Sequence, residues 1–174
     1  RHIPWSEVAQ GPWALFTSGS KSFNIPAFTG AYGFIPEENE RDSYLQALKG
    51  RDGLSSPSVP ALVAHIAAYR DGAPWLDALR DYLQANMRYV ADTLNNAFPA
   101  LCWQPPEATY LAWIDLRPLN VDDRALQQAL IAEQKVAIMP GYTYGPEGTG
   151  FLRLNVGCPR EKRERGGEGL SAAL

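Results

Sequence analysis

At 174 residues, 45% hydrophobic and 20% charged, the chain has the composition of an ordinary folded protein with room for one good core or two small lobes, which excludes a disordered chain. A formal net charge of -3 supplies no basic field for nucleic acid or an anionic membrane, and no apolar run reaches the length of a membrane span. The opening RHIPWSE has neither a starting Met nor the layout of a signal peptide, so a cytoplasmic fragment is expected. Cys102 and Cys158 make neither a disulfide framework nor a metal cluster, and His2 and His65 stand far apart in sequence. Free thiols and no structural metal are expected.

In chain order, Trp13 to Thr17 is predicted as a short buried strand and TGAYGFIP at 29 to 36 as a second, glycine-rich one. The polar loop between them carries Lys21 at a strand's carboxyl end. RDSYLQALKG at 41 to 50 reads as a short helix, followed by the breaker cluster RDGLSSPSVP. Val59, Leu62, Val63, Ile66 and Tyr69 then keep helical spacing until Asp71-Gly72. Pro74 opens a longer helix whose stripe of Leu76, Leu79, Leu83, Met87, Val90, Leu94 and Phe98 reads as core. The remainder alternates: strand near 109 to 115, helix near 122 to 134, strand near 136 to 139, strand near 150 to 156, and a polar terminal helix. The run REKRER at 160 to 165 mixes signs and reads as a solvated face. This is an α/β chain in which the piece before residue 50 supplies two strands, too few for an independently stable sheet. It reads as the end of a larger domain.

Among the lysines, Lys49 adjoins a helix-ending glycine, Lys135 follows a helix and Lys162 lies in the charge run; Lys21 alone sits among hydroxyls and glycine at a strand end. GSKS nearly matches the tail of a phosphate-binding loop, but that loop needs glycine where Ser20 and Leu15 stand, and Pro26 interferes with a helix starting at the lysine. The second chemistry is an imine. A lysine amine in a partly desolvated setting can bond an aldehyde cofactor, with Ser18, Ser20 and Ser22 offering hydroxyls to its phosphate. The plain alternative is a solvated loop lysine. In GFLRLNVG, strand alternation puts Phe151, Arg153 and Asn155 on one face and Leu152, Leu154 and Val156 on the other. If that face is covered, Arg153 needs an anion, either a structural carboxylate or a ligand carboxylate suited to its planar fork; an open edge strand would leave it in water.

SGSKSFN at 18 to 24 resembles the lysine motif of fold-type I pyridoxal-phosphate enzymes, and PGYTYGPEGTGFLRLNVG at 140 to 157 resembles their proline-glycine, aromatic-glycine and Arg-x-Asn signature. With DGLSSPSVPALVAHIAAY and ATYLAWIDLRPLN, the chain resembles, from about Trp5 to its end, the PatB/MalY branch of cystathionine β-lyases or C–S lyases. The resemblance implies the C-terminal part of that fold: residues 1–50 as the end of the large cofactor-binding domain, 51–74 as an interdomain helical segment and 75–174 as the small α/β domain. It also implies that Lys21 bonds pyridoxal 5'-phosphate, that Ser18 helps hold the phosphate, and that Arg153 binds the substrate carboxylate. Tyr110 and Tyr144 match aromatic positions of the family.

Many relatives carry a phosphate-binding arginine where this chain has Thr29, and the family's cofactor-stacking aromatic and pyridine-pairing Asp belong to sequence upstream of Arg1. For the intact protein the resemblance implies α,β-elimination, with cystathionine giving homocysteine, pyruvate and ammonia, and a homodimer acting on sulfur-containing amino acids. An aminotransferase shares Lys21 and Arg153. A regulatory role through contact with the transcription activator of the maltose system is the reading from a different class.

Overall fold

The computed structural model describes residues 3–54 and 56–174; His2 lies outside them. The chain divides into two compact units, Arg1–Asp77 and Ala78–Leu174, and the division falls inside a long helix.

In the first unit, strands β1 (Leu15–Thr17) and β2 (Tyr32–Phe34) form an antiparallel ribbon with Leu15 opposite Phe34 and Thr17 opposite Tyr32. Both are shorter than the sequence suggests. Pro26 opens a single tight turn, and left-handed residues at Asn24 and Thr29 bend the chain before β2. Helix α1 (Glu38–Gln46) starts ahead of its predicted position and widens into a π turn over Ala47–Arg51. Helix α2 (Val59–Asp71) begins at Ser58, whose side chain accepts the Ala61 N–H, with Pro60 in the first turn where its missing donor leaves nothing unpaired.

The apolar stripe of α2 is not core in this structure. Val59, Leu62, Val63 and Ile66 are exposed, Val59 by 71%. The side of α2 that packs within the unit carries Ala61, His65, Tyr69 and Gly72 instead. Periodicity finds the helix, but it cannot say which of two faces has something to pack against. Among the described residues of this unit, the buried ones are Gly19 and Ala61.

Helix α3 (Ala73–Ala97) ends in the second unit. There it joins α4 (Asp123–Ala132) and α5 (Arg160–Ala173) in covering one face of an antiparallel sheet ordered β3 (Leu111–Asp115), β5 (Phe151–Asn155), β4 (Met139–Pro140). Strand alternation sends Ala112, Ile114 and Leu152 into the core with Val156 beyond the strand, against Met87, Val90 and Leu94 of α3, Leu126 and Leu130 of α4 and Leu170 of α5. Fully burying side chains such as Ile114 and Leu130 contributes about 1.5 to 3 kcal/mol each. The strand predicted near 136 to 139 shrinks to Met139–Pro140. Lys135 takes a left-handed φ of 56° and the Val136 N–H closes back on the Leu130 carbonyl, so the first residues of that run finish α4.

The charge run at 160 to 165 needs one correction. Arg163 is 8% exposed, with its guanidinium 3.8 Å from the Tyr89 ring centre, Nη1 donating to Asn86 and Nη2 donating to Glu164. Asn86 is fully buried and donates to the carbonyls of Val156 and Cys158, fixing the chain as it leaves β5. Among the described residues, Cys102 and Cys158 are free, no cluster of metal-ligating side chains forms, and no helix is long and apolar enough to cross a membrane.

Between β4 and β5, the turns Gly141–Tyr144 and Pro146–Gly148 lie backbone to backbone, and a Cβ on either Gly141 or Gly148 would overlap the other's carbonyl oxygen. Gly148→Ala is therefore expected to destabilise the protein by about 1 to 3 kcal/mol through overpacking. The measurement is the thermal midpoint; an unchanged value would show that the two turns separate without penalty.

Candidate functional site

The sequence-predicted residues fall into two groups, one in each unit. Ser18, Ser20 and Lys21 share one turn that leaves β1. It closes through the Phe23 N–H to the Gly19 carbonyl and the Ile25 N–H to the Ser20 carbonyl, both at 2.9 Å. Lys21 stands at the crest of this turn, exposed, and its amine has no hydrogen bond or ion pair among the described residues. These residues do not themselves supply a desolvated setting for it. The Ser18 hydroxyl is inside the turn: it donates to the Gly30 carbonyl at 2.5 Å, accepts the Ser20 N–H at 3.1 Å and lies 3.3 Å from Nε2 of His65.

The turn is held on α2. Phe23 meets Tyr69 edge-on at 5.2 Å, and the hydroxyls of Tyr69 and Tyr32 share a hydrogen bond at 2.6 Å. Desolvation, with the hydrogen bond to Tyr32 second, pushes the Tyr69 phenol up to about 12. Thr29 occupies a left-handed position, its N–H bound to the Pro26 carbonyl.

In the second unit, Arg153 lies at the middle of β5, directly opposite Trp113 on one side and Met139 on the other. These three residues line the sheet face away from the helices. Tyr144 lies against the arginine, its ring centre 4.8 Å from Cζ, and meets Trp113 at 5.7 Å; Phe151 stacks on Trp113 at 5.5 Å. Nε of Arg153 is buried with no hydrogen-bond partner, and no carboxylate among the described residues pairs with the guanidinium. The nearby Asp115 carboxylate is occupied by Arg117, whose hydrogen bond holds Asp115 below the usual carboxylate range. Asn155 turns its Oδ1 to the Gly157 N–H, and the Tyr110 ring packs against the core.

Sequence reasoning passed over His65. The available signal was the α2 face built from Ala61, His65 and Gly72, small residues flanking one imidazole at helical spacing.

An exposed lysine turn after a strand, followed by an arginine strand in a small α/β layer, is the arrangement this chain shares with the C-terminal part of aminotransferase-fold proteins. Residues 1–170 match the model for aminotransferase class I and II, and the chain belongs to that family. It is 71% identical to Protein MalY of Escherichia coli (strain K12) over 99% of this chain and 44% of that protein. It is 37% identical to the cystathionine beta-lyase PatB of Bacillus subtilis (strain 168), over 89% of this chain and 40% of the relative. The structure superimposes, with a TM-score of 0.85 and 30% identity, on a PLP-bound putative aminotransferase from Clostridium difficile 630, covering 92% of this chain and 41% of that one. The chain thus spans less than half the length of these relatives.

Proposed function

We propose that, in a chain of its relatives' length, these residues form part of a pyridoxal-phosphate-dependent carbon–sulfur lyase acting on cysteine S-conjugates such as cystathionine, which with one water gives homocysteine, pyruvate and ammonia. The carrying observation is the guanidinium of Arg153, partly buried, backed by Tyr144 and without an anion. Leaving a desolvated charge unpaired is costly, and the planar fork of arginine matches an amino acid's α-carboxylate. The unpartnered amine of Lys21 and the hydroxyls of its turn fit the cofactor's aldehyde and phosphate in chemical type.

When bound, pyridoxal phosphate supplies an electron sink for the negative charge left at Cα. Lys21 would hold the cofactor through its aldehyde and, with its amine free, would take the substrate's Cα proton, the β-thiolate leaving with the electrons of the C–S bond. Ser18 and Ser20 are assigned to the phosphate side, Ser20 through a hydroxyl that has no partner among the described residues and Ser18 through the turn it orders, its one hydroxyl proton being turned to the Gly30 carbonyl. Tyr144 and, at the start of β3, Tyr110 are assigned to the substrate side. Residues 1–50 act as the end of the large domain, 51–74 as the connecting helical segment and 75–174 as the small domain. A cytoplasmic homodimer completes this reading, and contact with the transcription activator of the maltose system is proposed alongside it.

The likeness to a putative aminotransferase favours a second reading, in which the same lysine and arginine serve amino-group transfer. Assaying the intact protein with cystathionine separates the two: equal release of thiol and pyruvate supports the lyase, whereas amino transfer to a 2-oxo acid without thiol release overturns it. These 174 residues alone are expected to be silent, since the relatives they match are more than twice as long. Pyruvate release that scales with this chain by itself would refute that expectation.

A further inference from the structure

We propose that His65 is a positioning residue for Lys21, acting through Ser18 to tie the lysine turn to helix α2. The proposal rests on the reading of Lys21 as the cofactor lysine and goes beyond it.

The donors and acceptors fix the arrangement. Nδ1 of His65 lies 2.8 Å from the Ala61 carbonyl, which only accepts, so Nδ1 carries a proton and Nε2 is turned to Ser18 at 3.3 Å. The Ser18 hydroxyl has one proton and two lone pairs. It accepts the Ser20 N–H, in the residue immediately before the lysine, and donates to Gly30 at the far end of the loop. When Nε2 is unprotonated, Gly30 and His65 compete for that single proton; when it is protonated, it donates into the remaining lone pair. With Nε2 protonated, one hydroxyl joins the end of β1, the residue before Lys21, the approach to β2 and α2 at once; with Nε2 unprotonated, its proton serves Gly30 or α2 in turn.

The packing shows how closely the ring is fitted. A Cβ on Gly30 would lie 2.8 Å from Cε1 of His65 and 3.0 Å from the Ala61 methyl, and a Cβ on Gly19 would lie 3.3 Å from Cδ2 of His65. Two glycines of the lysine loop therefore bracket the imidazole, leaving it little freedom to swing away from Ser18.

The test uses the intact protein, first stripped of cofactor and then reloaded with pyridoxal phosphate. His65→Gln keeps a polar group at the Nε2 position; His65→Asn keeps one near Nδ1 but falls short of Ser18. In the cofactor-free protein, amide hydrogen exchange across residues 18–24 is expected to rise roughly three- to tenfold in His65→Asn, the scale of one lost hydrogen bond, to rise at least as much in Ser18→Ala, which also loses the Gly30 and Ser20 contacts, and to stay near normal in His65→Gln. In the double variant His65→Asn with Ser18→Ala, no rise beyond that of Ser18→Ala is expected, because Ser18→Ala already removes the contact to His65. On reloading, capture of the cofactor by Lys21 should slow in parallel, while KM for the amino-acid substrate stays unchanged. Equal effects of the Gln and Asn variants, or additive effects of Asn and Ser18→Ala, would overturn the proposal. Ser18→Ala leaves helix α2 untouched, so unchanged exchange in that variant would also overturn it even were the His65 variants unstable. If Lys21 is not the cofactor lysine, capture at Lys21 fails already in the unsubstituted protein while the exchange pattern persists, and the two failures are told apart.

Discussion

Lys21→Ala in the intact protein is expected to lower turnover by at least about a thousandfold, because one amine is assigned both to holding the cofactor and to moving the Cα proton. The structure makes this a clean experiment. The amine stands exposed at the crest of its turn with no partner among the described residues, so its removal breaks no contact that holds the fold. The melting temperature of the cofactor-free protein should therefore be unchanged, while the visible absorption of bound pyridoxal phosphate should weaken sharply. Borohydride reduction of the unsubstituted protein should fix the cofactor to the peptide carrying Lys21 and to no other lysine. Turnover retained by Lys21→Ala, or label found at Lys49, Lys135 or Lys162, would refute the assignment.

Arg153→Leu is the second large effect. Removing one partner of a desolvated, hydrogen-bonded charge pair costs roughly 2 to 5 kcal/mol, or about 30-fold to several-thousand-fold in kcat/KM. Leucine keeps apolar contact with Trp113, Met139 and Tyr144, so the loss reports on charge and hydrogen bonding. Arg153→Lys should recover part of it only, since a point charge cannot reproduce a planar fork. Cofactor binding should survive in both variants, because the lysine and its hydroxyls belong to a different turn. Near-normal kcat/KM in Arg153→Leu would make the arginine structural, and loss of cofactor together with substrate would move it to another role.

The second unit was largely legible in its sequence. The stripe of α3 supplies Met87, Val90 and Leu94 to the core, and the alternation of GFLRLNVG sends Leu152 and Val156 inward with Arg153 on the opposite face. Such periods are strong where a sheet has one covered side. Less was legible where local geometry overrides pattern. The left-handed Lys135 turned Val136 back onto the close of α4 and left Met139 as the part of VAIM that pairs as strand, and Arg163 was drawn inward by the Asn86 amide and the Tyr89 ring, partners distant in sequence. The lysine turn was recognisable from SGSKSFN. Its mooring was not, because a serine's choice among Gly30, Ser20 and His65 is a three-dimensional matter.

Helix α2 has a meaning for how such a chain can drift over generations. Val59, Leu62, Val63 and Ile66 are the residues that a hydropathy profile would mark for preservation, yet in this structure they stand exposed and outside the core. On the side toward the lysine turn the governing variable is volume. Gly72 has a Phe23 ring atom 2.9 Å from where a Cβ would lie, and Ala61 fills the space beneath Gly30. An extra methyl at these small positions changes hydropathy hardly at all and yet pushes on the turn that carries Lys21. Descendants of this sequence should therefore hold Gly19, Gly30 and Gly72 more strictly than the apolar stripe of α2.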